Sequence, residues 1–371
     1  MTRTLSALCV LLIVATALAP VSAAGAATGA TTSHDCSFPV TMTDASGTDV
    51  TLEERPDRVT TLNPSAAQTM WALDAESQVV GRTKFAAYLE GAETRTNVSA
   101  AGGFGVSVEK VVGTNPDLVL APNTTSAETV TALRDAGLTV YQFALAEDID
   151  DVAAKTTTIG RLTGNCEAAA RTNAWMTANV DAARQATADV DRPRVLYPLG
   201  SGFVANTNTF ISAMITASGG TNVMAETNLS RAYPQVSDEV ILELDPEVLV
   251  ITETNRYLLA QQPYNATTAG RMNQTVFVDA NYLNQPAPRS VVYAVRNLTT
   301  GLHPDAAASA EFVAKSEVTV ATETPPPTDA TFTATPTEPE PTPTTAPGQP
   351  GLGVVPALLA LAAIALLSRR D

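Results

Sequence analysis

The sequence is poor in the residues that build most metal and acid–base sites. Its 371 residues include only two histidines, His34 and His303, which lie far apart in the chain. They do not supply a zinc or manganese site with several imidazole ligands, and they leave little scope for histidine as a general acid or base. The chain also lacks a Gly-x-Ser-x-Gly elbow, a phosphate-binding loop and a zinc-ligand pattern. We therefore expect no metal, no resident cofactor and no enzymatic activity.

Positive charge is scarce as well. Acidic residues outnumber basic residues 38 to 22, and the net charge is −16. Such a chain is repelled by DNA, RNA and anionic lipid surfaces, so nucleic acid is not an expected partner. Hydrophobic residues make up 45% of the chain, enough for the cores of globular domains. Only four of the 22 basic residues are lysines, and this acidic, lysine-poor composition resembles that of proteins from halophilic archaea.

The amino-terminal end predicts export. Residues 1–23 combine Arg3, an apolar run over residues 5–18 and a small-residue cleavage site ending at Ala23, which is the pattern of a signal peptide. The alternative is a membrane anchor that is retained, but the apolar run is shorter than the ~20 residues that a spanning helix needs. We expect the mature chain to begin near Ala24.

The carboxyl-terminal end predicts a tether. Residues 316–350 are dominated by Thr, Pro and Glu and contain nothing that forms a core, so we expect an extended stalk. Residues 351–371 carry an apolar run followed by Arg369 and Arg370. This order resembles archaeal sorting signals, in which the tail is cut and replaced by a lipid, although Leu352 stands where phenylalanine is usual. Cleaved or retained, the tail is expected to hold the protein at the outer face of the cell membrane.

An exported chain can form disulfides and can be glycosylated at Asn-x-Ser/Thr sequons. Once Cys9 leaves with the signal peptide, Cys36 and Cys166 remain in an oxidising compartment, where we expect a disulfide between them. The alternative is two buried thiols. Six sequons suit a surface glycoprotein. They lie at Asn97, Asn123, Asn228, Asn265, Asn273 and Asn297.

An internal repeat indicates two similar lobes. Residues 106–120 align without gaps with residues 236–250, 130 positions later. In each copy a serine can cap a helix, a glutamate lies in the first turn, and a proline ends the helix. A continuous apolar run follows, which is typical of a strand in a parallel sheet covered on both faces. Both halves open with a strand, a polar loop and a helix, which places the loop where open α/β sheets bind ligands.

These patterns predict an α/β fold in which two similar lobes, with parallel-type sheets flanked by helices, are joined by a helical connector and enclose a ligand cleft. We place an amino-terminal segment with a hairpin at residues 24–57, and the first lobe at residues 58–147. The connector is placed at residues 148–190, where Gly160 and Gly164 are expected to break the helix. The second lobe is placed at residues 191–315.

The order of these elements resembles the substrate-binding proteins of ABC importers for cobalamin, ferric siderophores and haem. The resemblance covers roughly residues 36–304 and is carried by an ordered set of short motifs. They are the hairpin at 41–52, Arg58-Val59 followed by Pro64-Ser65, Gly102-Gly103-Phe104, Ser107-Val108-Glu109, residues 115–119, and Ala287-Pro288-Arg289. In this family the connecting helix is stiff, which implies a clamp of limited motion. We expect a monomer whose partners are an ABC permease with its ATPase, a small-molecule ligand, and the membrane through its tail.

The resemblance also assigns roles to individual residues. It implies that Glu109 and Glu239, one on each lobe, dock on arginines of the permease; the alternative is that each carboxylate only stabilises the start of its helix. The ligand is implied to lie between the lobes, where aromatic surfaces and a few polar groups hold large planar molecules. The expected ligand-binding residues are Pro64, Ser65, Tyr88, Phe104, Phe203, Tyr233, Tyr257, Asn281, Tyr282 and Arg289. Each aromatic ring among them has the alternative of packing within its lobe.

Three ligands remain open. Cobalamin is preferred because Gly102-Gly103-Phe104 and Tyr282 lie where corrinoid binders often carry aromatic contacts, although Asn281 stands where some of them have aspartate. A ferric siderophore is the first alternative, since anionic chelates need converging basic groups. Those available are Arg82, Lys84, Arg231, Arg256 and Arg289. Haem is the second alternative, but the chain has no obvious axial ligand, because His303 is expected outside the cleft.

A hypothesis of another class is a surface adhesin or a wall-associated protein. The stalk and the sequons permit it. An adhesin, however, has no reason to repeat Glu109 and Glu239 at equivalent positions, so the repeat favours transport.

Overall fold

The structure is a computed structural model that describes residues 36–102 and 105–320. The predicted signal peptide, Phe104, most of the predicted stalk and the predicted sorting tail lie outside the described residues. The described residues belong to one compact unit, which ends at Glu323. None of the described helices is long and apolar enough to cross a membrane.

The described chain opens with the predicted hairpin. Strands β1 (Val40–Thr43) and β2 (Asp49–Leu52) pair antiparallel around a turn in which Gly47 has a φ of 79°. The segment before the hairpin is fixed by a disulfide between Cys36 and Cys166, whose Cα atoms lie 5.6 Å apart. This is the pairing that the sequence predicts, and it ties the amino-terminal segment to the connector.

The first lobe is built on a five-stranded parallel sheet. Its strands are β3 (Val59–Thr61), β4 (Val79–Arg82), β5 (Thr96–Asn97), β6 (Leu118–Ala121) and β7 (Val140–Gln142), in the spatial order β5-β4-β3-β6-β7. Its helices are α1 (Pro64–Ala72), α2 (Val108–Gly113) and α3 (Ala127–Asp135). All four residues of β6 are buried, which explains its continuous apolar sequence.

The second lobe repeats this plan with four parallel strands. They are β8 (Arg194–Leu196), β11 (Thr221–Asn222), β12 (Val248–Ile251) and β13 (Thr275–Phe277), in the order β11-β8-β12-β13. Two short strands, β9 (Pro198–Gly200) and β10 (Phe203–Val204), pair antiparallel beside this sheet. The helices are α6 (Phe210–Ala217), α7 (Asp238–Leu244), α8 (Thr268–Met272), α9 (Ala280–Leu283), α10 (Pro288–Leu302) and α11 (Pro304–Ser309). The predicted α/β fold with two similar lobes is confirmed.

The connector consists of two helices, α4 (Ile149–Thr163) and α5 (Cys166–Ala186). Gly164 ends α4 in the left-handed conformation with a φ of 71°. Glycine commonly ends helices in this conformation because it has no Cβ atom. The expected break at Gly160 is wrong, because Gly160 lies inside α4. A Cβ atom at Gly160 would lie 2.5 Å from the Cβ of Ala169, so this glycine permits close packing of the two helices.

The connector contributes to the cores of both lobes. Ile159, Leu162 and Ala169 are buried in a cluster with the strands of the first lobe. Further along α5, Trp175 and Met176 are buried in the main cluster of the second lobe. One continuous helix pair is therefore packed into two cores, which is the structural basis of a stiff connection.

After α11 the chain returns along the connector, in a segment that we call the C-terminal strap (residues 310–320). The carbonyl of Val313 accepts hydrogen bonds from Trp175 Nε1 at 3.0 Å and Asn179 Nδ2 at 3.1 Å, both on α5. Two residues later, Lys315 Nζ donates to the carbonyl of Ala72 and lies 3.0 Å from the carboxylate of Asp74 in the first lobe. The strap thus leaves the second lobe and reaches the first.

Candidate functional site

The carboxyl edges of the two sheets face each other. Ser65, in the first turn after β3, donates a hydrogen bond from its hydroxyl to the carbonyl of Pro286, 2.6 Å away and in the segment that follows β13. Loops at the carboxyl ends of parallel strands form the ligand sites of open α/β sheets. The space flanked by these two edges is the candidate functional site.

On the first lobe, this edge forms a cavity of about 430 Å³. Its lining combines hydroxyl side chains with apolar side chains, one of which is aromatic. The lining residues include Asn63, Pro64, Thr83, Phe85, Thr124, Thr125 and Ser126. Phe85 is 50% exposed, and Lys84 Nζ lies 5.0 Å from the centre of its ring. Pro64, one of the expected ligand-binding residues, lines this cavity together with Phe85, which is not among the expected residues.

On the second lobe, the same edge presents exposed aromatic rings. Phe203 in β10 is 42% exposed, and Tyr257, in the short helix after β12, is 53% exposed. Phe277, the last residue of β13, is 42% exposed, and the guanidinium of Arg256 lies 4.9 Å from its ring centre. Sequence reasoning proposed Phe203 and Tyr257 but missed Phe277, whose signal is an aromatic residue ending a buried strand.

Tyr233 is placed differently from its predicted role. Its ring packs against the main core of the second lobe beside Tyr197. Burial raises the pKa of the Tyr233 phenol to about 12, which keeps it neutral at ordinary pH. The partly buried ring of Tyr233 thus packs against its own lobe, which is the alternative stated for the expected aromatic residues.

The lobes touch along a seam whose centre is the first turn of α1. Ser65 is fully buried there, and its hydroxyl is bonded to Pro286 of the second lobe and to Lys155 Nζ of the connector. Lys155 also lies 3.4 Å from the Pro286 carbonyl and 5.6 Å from the ring centre of Phe143. The Ser65 hydroxyl is thus occupied by contacts between the lobes and, in this structure, does not face a ligand.

Lys155 holds an unusual position for a cation. No carboxylate among the described residues forms a salt bridge with it. The charged groups nearby along its cavity are already engaged: Asp44 pairs with Arg134, and Asp151 accepts from the backbone of Glu147. Burial without a charged partner lowers the pKa of Lys155 to about 7.

A second polar network continues the seam. Gln68 Nε2 donates to Tyr88 Oη at 2.6 Å and to the Asn281 carbonyl at 3.2 Å. Gln68 Oε1 accepts from the backbone N–H of Ser290 at 2.9 Å and from its hydroxyl at 2.8 Å. Burial raises the pKa of Tyr88 to about 12, so this hydroxyl stays protonated. Two predicted ligand residues, Tyr88 and Asn281, therefore take part in holding the lobes together.

Beside this network lies an aromatic stack crossed by one arginine. The rings of Tyr282 and Tyr293 stack with centroids 4.8 Å apart, and Tyr88 meets Tyr282 edge-on at 6.4 Å. The guanidinium of Arg289 lies 5.8 Å from the Tyr282 ring centre and 5.4 Å from that of Tyr293. The structure thus brings together Tyr282 and Arg289, two of the expected ligand-binding residues. Tyr293 was missed, although its spacing of four residues from Arg289 on one helix is the signal that could have found it.

The two repeated glutamates occupy matching positions. Glu109 lies in the first turn of α2, and Glu239 in the first turn of α7. Both are exposed. Each helix is capped by the predicted serine, because Ser107 Oγ accepts from Lys110 N and Ser237 Oγ accepts from Val240 N. The Ser237 hydroxyl also lowers the pKa of Glu239, so this carboxylate is ionised at neutral pH.

In the described part of the chain, no group of three or more His, Cys, Asp or Glu residues is arranged so that it could hold a metal ion. His303 lies at the carboxyl end of α10, where its Nε2 is 3.1 Å from the carbonyl of Gly219. His303 therefore lies beside the end of α6 and not at the carboxyl edge of the sheet, where the exposed rings are.

A family model and two relatives of known sequence all identify this chain as similar to binding proteins. The periplasmic binding protein family model matches residues 59–282. Over 297 residues the chain is 50% identical to a cobalamin-binding protein of Halobacterium salinarum, an alignment that covers 76% of this chain and 80% of the relative. It is 27% identical over 279 residues to an ABC transporter substrate-binding lipoprotein of Bacillus subtilis, covering 72% and 87% of the two chains.

A solved structure shares the fold. The periplasmic haem-binding protein RhuT of Roseiflexus superposes on this chain with a TM-score of 0.60 and a sequence identity of 26%. The superposition covers 68% of this chain and 99% of the haem-binding protein.

Proposed function

The chain belongs to the periplasmic binding protein family, and on this premise we propose that it captures a corrinoid such as cobalamin between its lobes and delivers it to an ABC-importer permease. The observation that carries the proposal is the 50% identity to the cobalamin-binding protein of Halobacterium salinarum over most of both chains. The geometry supports it. Exposed rings on one edge and a cavity lined by both hydroxyl and apolar side chains on the facing edge suit a large, uncharged, amide-rich ligand.

The location follows from the family, whose members are extracytoplasmic substrate-binding proteins. We propose that this chain is anchored at the outer face of the membrane by its carboxyl-terminal tail and acts as a monomer with no catalytic role. Glu109 and Glu239 are proposed as the permease-docking residues. Their support is the matching exposure and the matching helix positions in the two lobes.

The direct test is titration calorimetry of the purified protein with cyanocobalamin, a ferric hydroxamate and haem. We expect saturable binding of one cyanocobalamin per chain. Because the corrinoid carries little net charge, its affinity should change little as salt rises, whereas an anionic chelate held by Arg256 or Lys84 should bind more weakly. Saturable binding of the hydroxamate or of haem, with no heat from cyanocobalamin, would assign the protein to iron uptake and leave its family unchanged.

A further inference from the structure

We propose that Gln68 is the positioning residue that sets the separation of the two lobes and hence the width of the ligand cleft. Its side chain joins helix α1 of the first lobe to α9 and α10 of the second. The role in ligand capture rests on the proposed function. The role in lobe separation does not, and it can be tested without ligand.

The amide of Gln68 uses its full hydrogen-bonding capacity. A glutamine side chain has two N–H donors and one oxygen that accepts two bonds. Here both donors are used, on Tyr88 and the Asn281 carbonyl, and the oxygen accepts twice from Ser290. The orientation of the amide is dictated by its partners, because a backbone N–H can only donate and a carbonyl can only accept.

The network tolerates little movement between the lobes. Gln68 and Ser290 are both fully buried, and the bonds from Gln68 to the second lobe are between 2.8 and 3.2 Å long. Separating α1 from α10 would leave the Gln68 amide and the backbone N–H of Ser290 without their partners, which is energetically unfavourable for buried groups. The Ser65–Pro286 bond lies one helical turn away and opposes the same movement. These buried bonds therefore favour one narrow range of distances between the lobes.

The chain offers a matched control in Gln78. This glutamine is also buried, at 5% exposure, and its amide is also engaged, with Nε2 donating to the carbonyls of Pro56 and Thr163 and Oε1 accepting from Asn165. None of these partners belongs to the second lobe. Gln68→Leu and Gln78→Leu therefore remove similar buried bonds, but only the first removes bonds between lobes.

The experiment measures lobe separation and ligand binding in the full-length protein. Nitroxide labels at Asp135→Cys on α3 and Glu243→Cys on α7, both exposed positions, report the distance between lobes by pulsed electron paramagnetic resonance. We expect a narrow distance distribution for the labelled parent and for Gln78→Leu, and a broad one for Gln68→Leu. Cyanocobalamin should bind about tenfold more weakly to Gln68→Leu, mainly through faster dissociation, and within about twofold of the parent to Gln78→Leu.

Two further variants keep the test decisive if Gln68→Leu fails to fold. Gln68→Glu keeps the oxygen that accepts from Ser290 but turns the donor facing the Asn281 carbonyl into a repelling oxygen. Ser290→Ala removes one of the two bonds to Gln68 Oε1. Broadening that is large in Gln68→Glu and smaller in Ser290→Ala supports the proposal. An unchanged distance distribution in the folded Gln68 variants overturns it, whether or not cyanocobalamin binds the parent.

Discussion

Arg58 and Arg194 bond to the same two helix-end carbonyl positions in the two lobes, and Arg194 also pairs with Glu226. Arg58 donates from its guanidinium to the carbonyls of Thr114 and Asn115, at 2.6 and 2.7 Å, where α2 ends. Arg194 donates to the carbonyls of Leu244 and Asp245, at 2.6 and 3.1 Å, where α7 ends.

The acidic residue after each proline completes the arrangement. Asp117 accepts from the backbone N–H groups of Asp57 and Arg58 at 2.9 and 2.8 Å, and Glu247 accepts from that of Arg194 at 2.8 Å. The repeated sequence therefore specifies the same set of hydrogen bonds in both lobes. We call this set the helix–strand joint, because it connects the end of a helix to the start of the first strand in its lobe.

We predict that Arg58→Ala and Arg194→Ala each lower the free energy of unfolding by about 1–2 kcal/mol, because each leaves helix-end carbonyls without a charged donor. Urea denaturation measures the change. Arg171→Ala is the control, since it removes only an exposed pair with Glu167 on one helix, and a change of at most about 0.5 kcal/mol is expected. If all three substitutions changed the free energy of unfolding equally, the helix–strand joint would contribute no more to stability than an exposed ion pair.

The disulfide should contribute strongly to stability. Cys36 and Cys166 are separated by 130 positions, and closing a loop of that length stabilises by at most about 5 kcal/mol in the chain-entropy model. We expect the double variant Cys36→Ser, Cys166→Ser to unfold at a lower urea concentration than the parent. Mass spectrometry of the secreted parent should find one disulfide, and two thiols that alkylate without reduction would contradict the pairing.

Lys155 predicts a specific dependence of stability on pH. Its pKa is about 7 in the folded protein and near the ordinary 10.5 in the unfolded chain. Between these values the unfolded chain binds a proton that the folded protein does not, so this residue makes stability rise with pH across that interval and leaves it constant below. Compared with Lys155→Met, the parent should gain stability from about pH 7 to about pH 10. Parallel stability curves for the two proteins would refute the lowered pKa.

The exposed rings at the carboxyl edge of the second lobe should contact the ligand. We expect Phe277→Ala to weaken corrinoid binding by about 1–3 kcal/mol, the usual worth of burying an aromatic side chain. Met272→Ala is the matched control, because Met272 is 64% exposed but precedes the same strand, at its opposite end. Calorimetric titration with cyanocobalamin compares them, and equal affinities would remove Phe277 from the ligand site.

Replacing Glu109 and Glu239 together by arginine should abolish uptake while leaving corrinoid affinity unchanged. The control is the pair Glu128→Arg and Asp305→Arg. Like the two glutamates, these carboxylates are exposed in the first turn of a helix, one in each lobe, so the control makes the same change in charge at similar helix starts. Uptake of labelled cobalamin by cells is the measurement. Normal uptake by the Glu109, Glu239 variant would eliminate the docking role.

Local sequence patterns predicted the elements well because their causes are local. The apolar run after the proline in the first copy of the repeat forms strand β6, as expected, since a short apolar run bounded by polar residues or proline specifies a buried strand. The same holds for the serine caps of α2 and α7.

The site was less predictable because its contacts are distant in sequence. Ser65 and Pro286 are 221 positions apart, and Gln68 and Ser290 are 222 apart, so no local pattern could show that the first turn of α1 is covered by the other lobe. Tyr88 and Asn281 were for that reason expected to face a ligand instead of the seam. Gly160 was expected to break a helix because its partner, Ala169, lies on the next helix.

The C-terminal strap determines how a mechanical load would enter the protein. A pull on the chain at residue 320 would reach Lys315 and Val313 first, and both are fastened along the connector and the first lobe. Because the Val313 carbonyl also accepts a hydrogen bond from Arg296 on α10, the load would be divided between the connector and both lobes instead of falling on one of them.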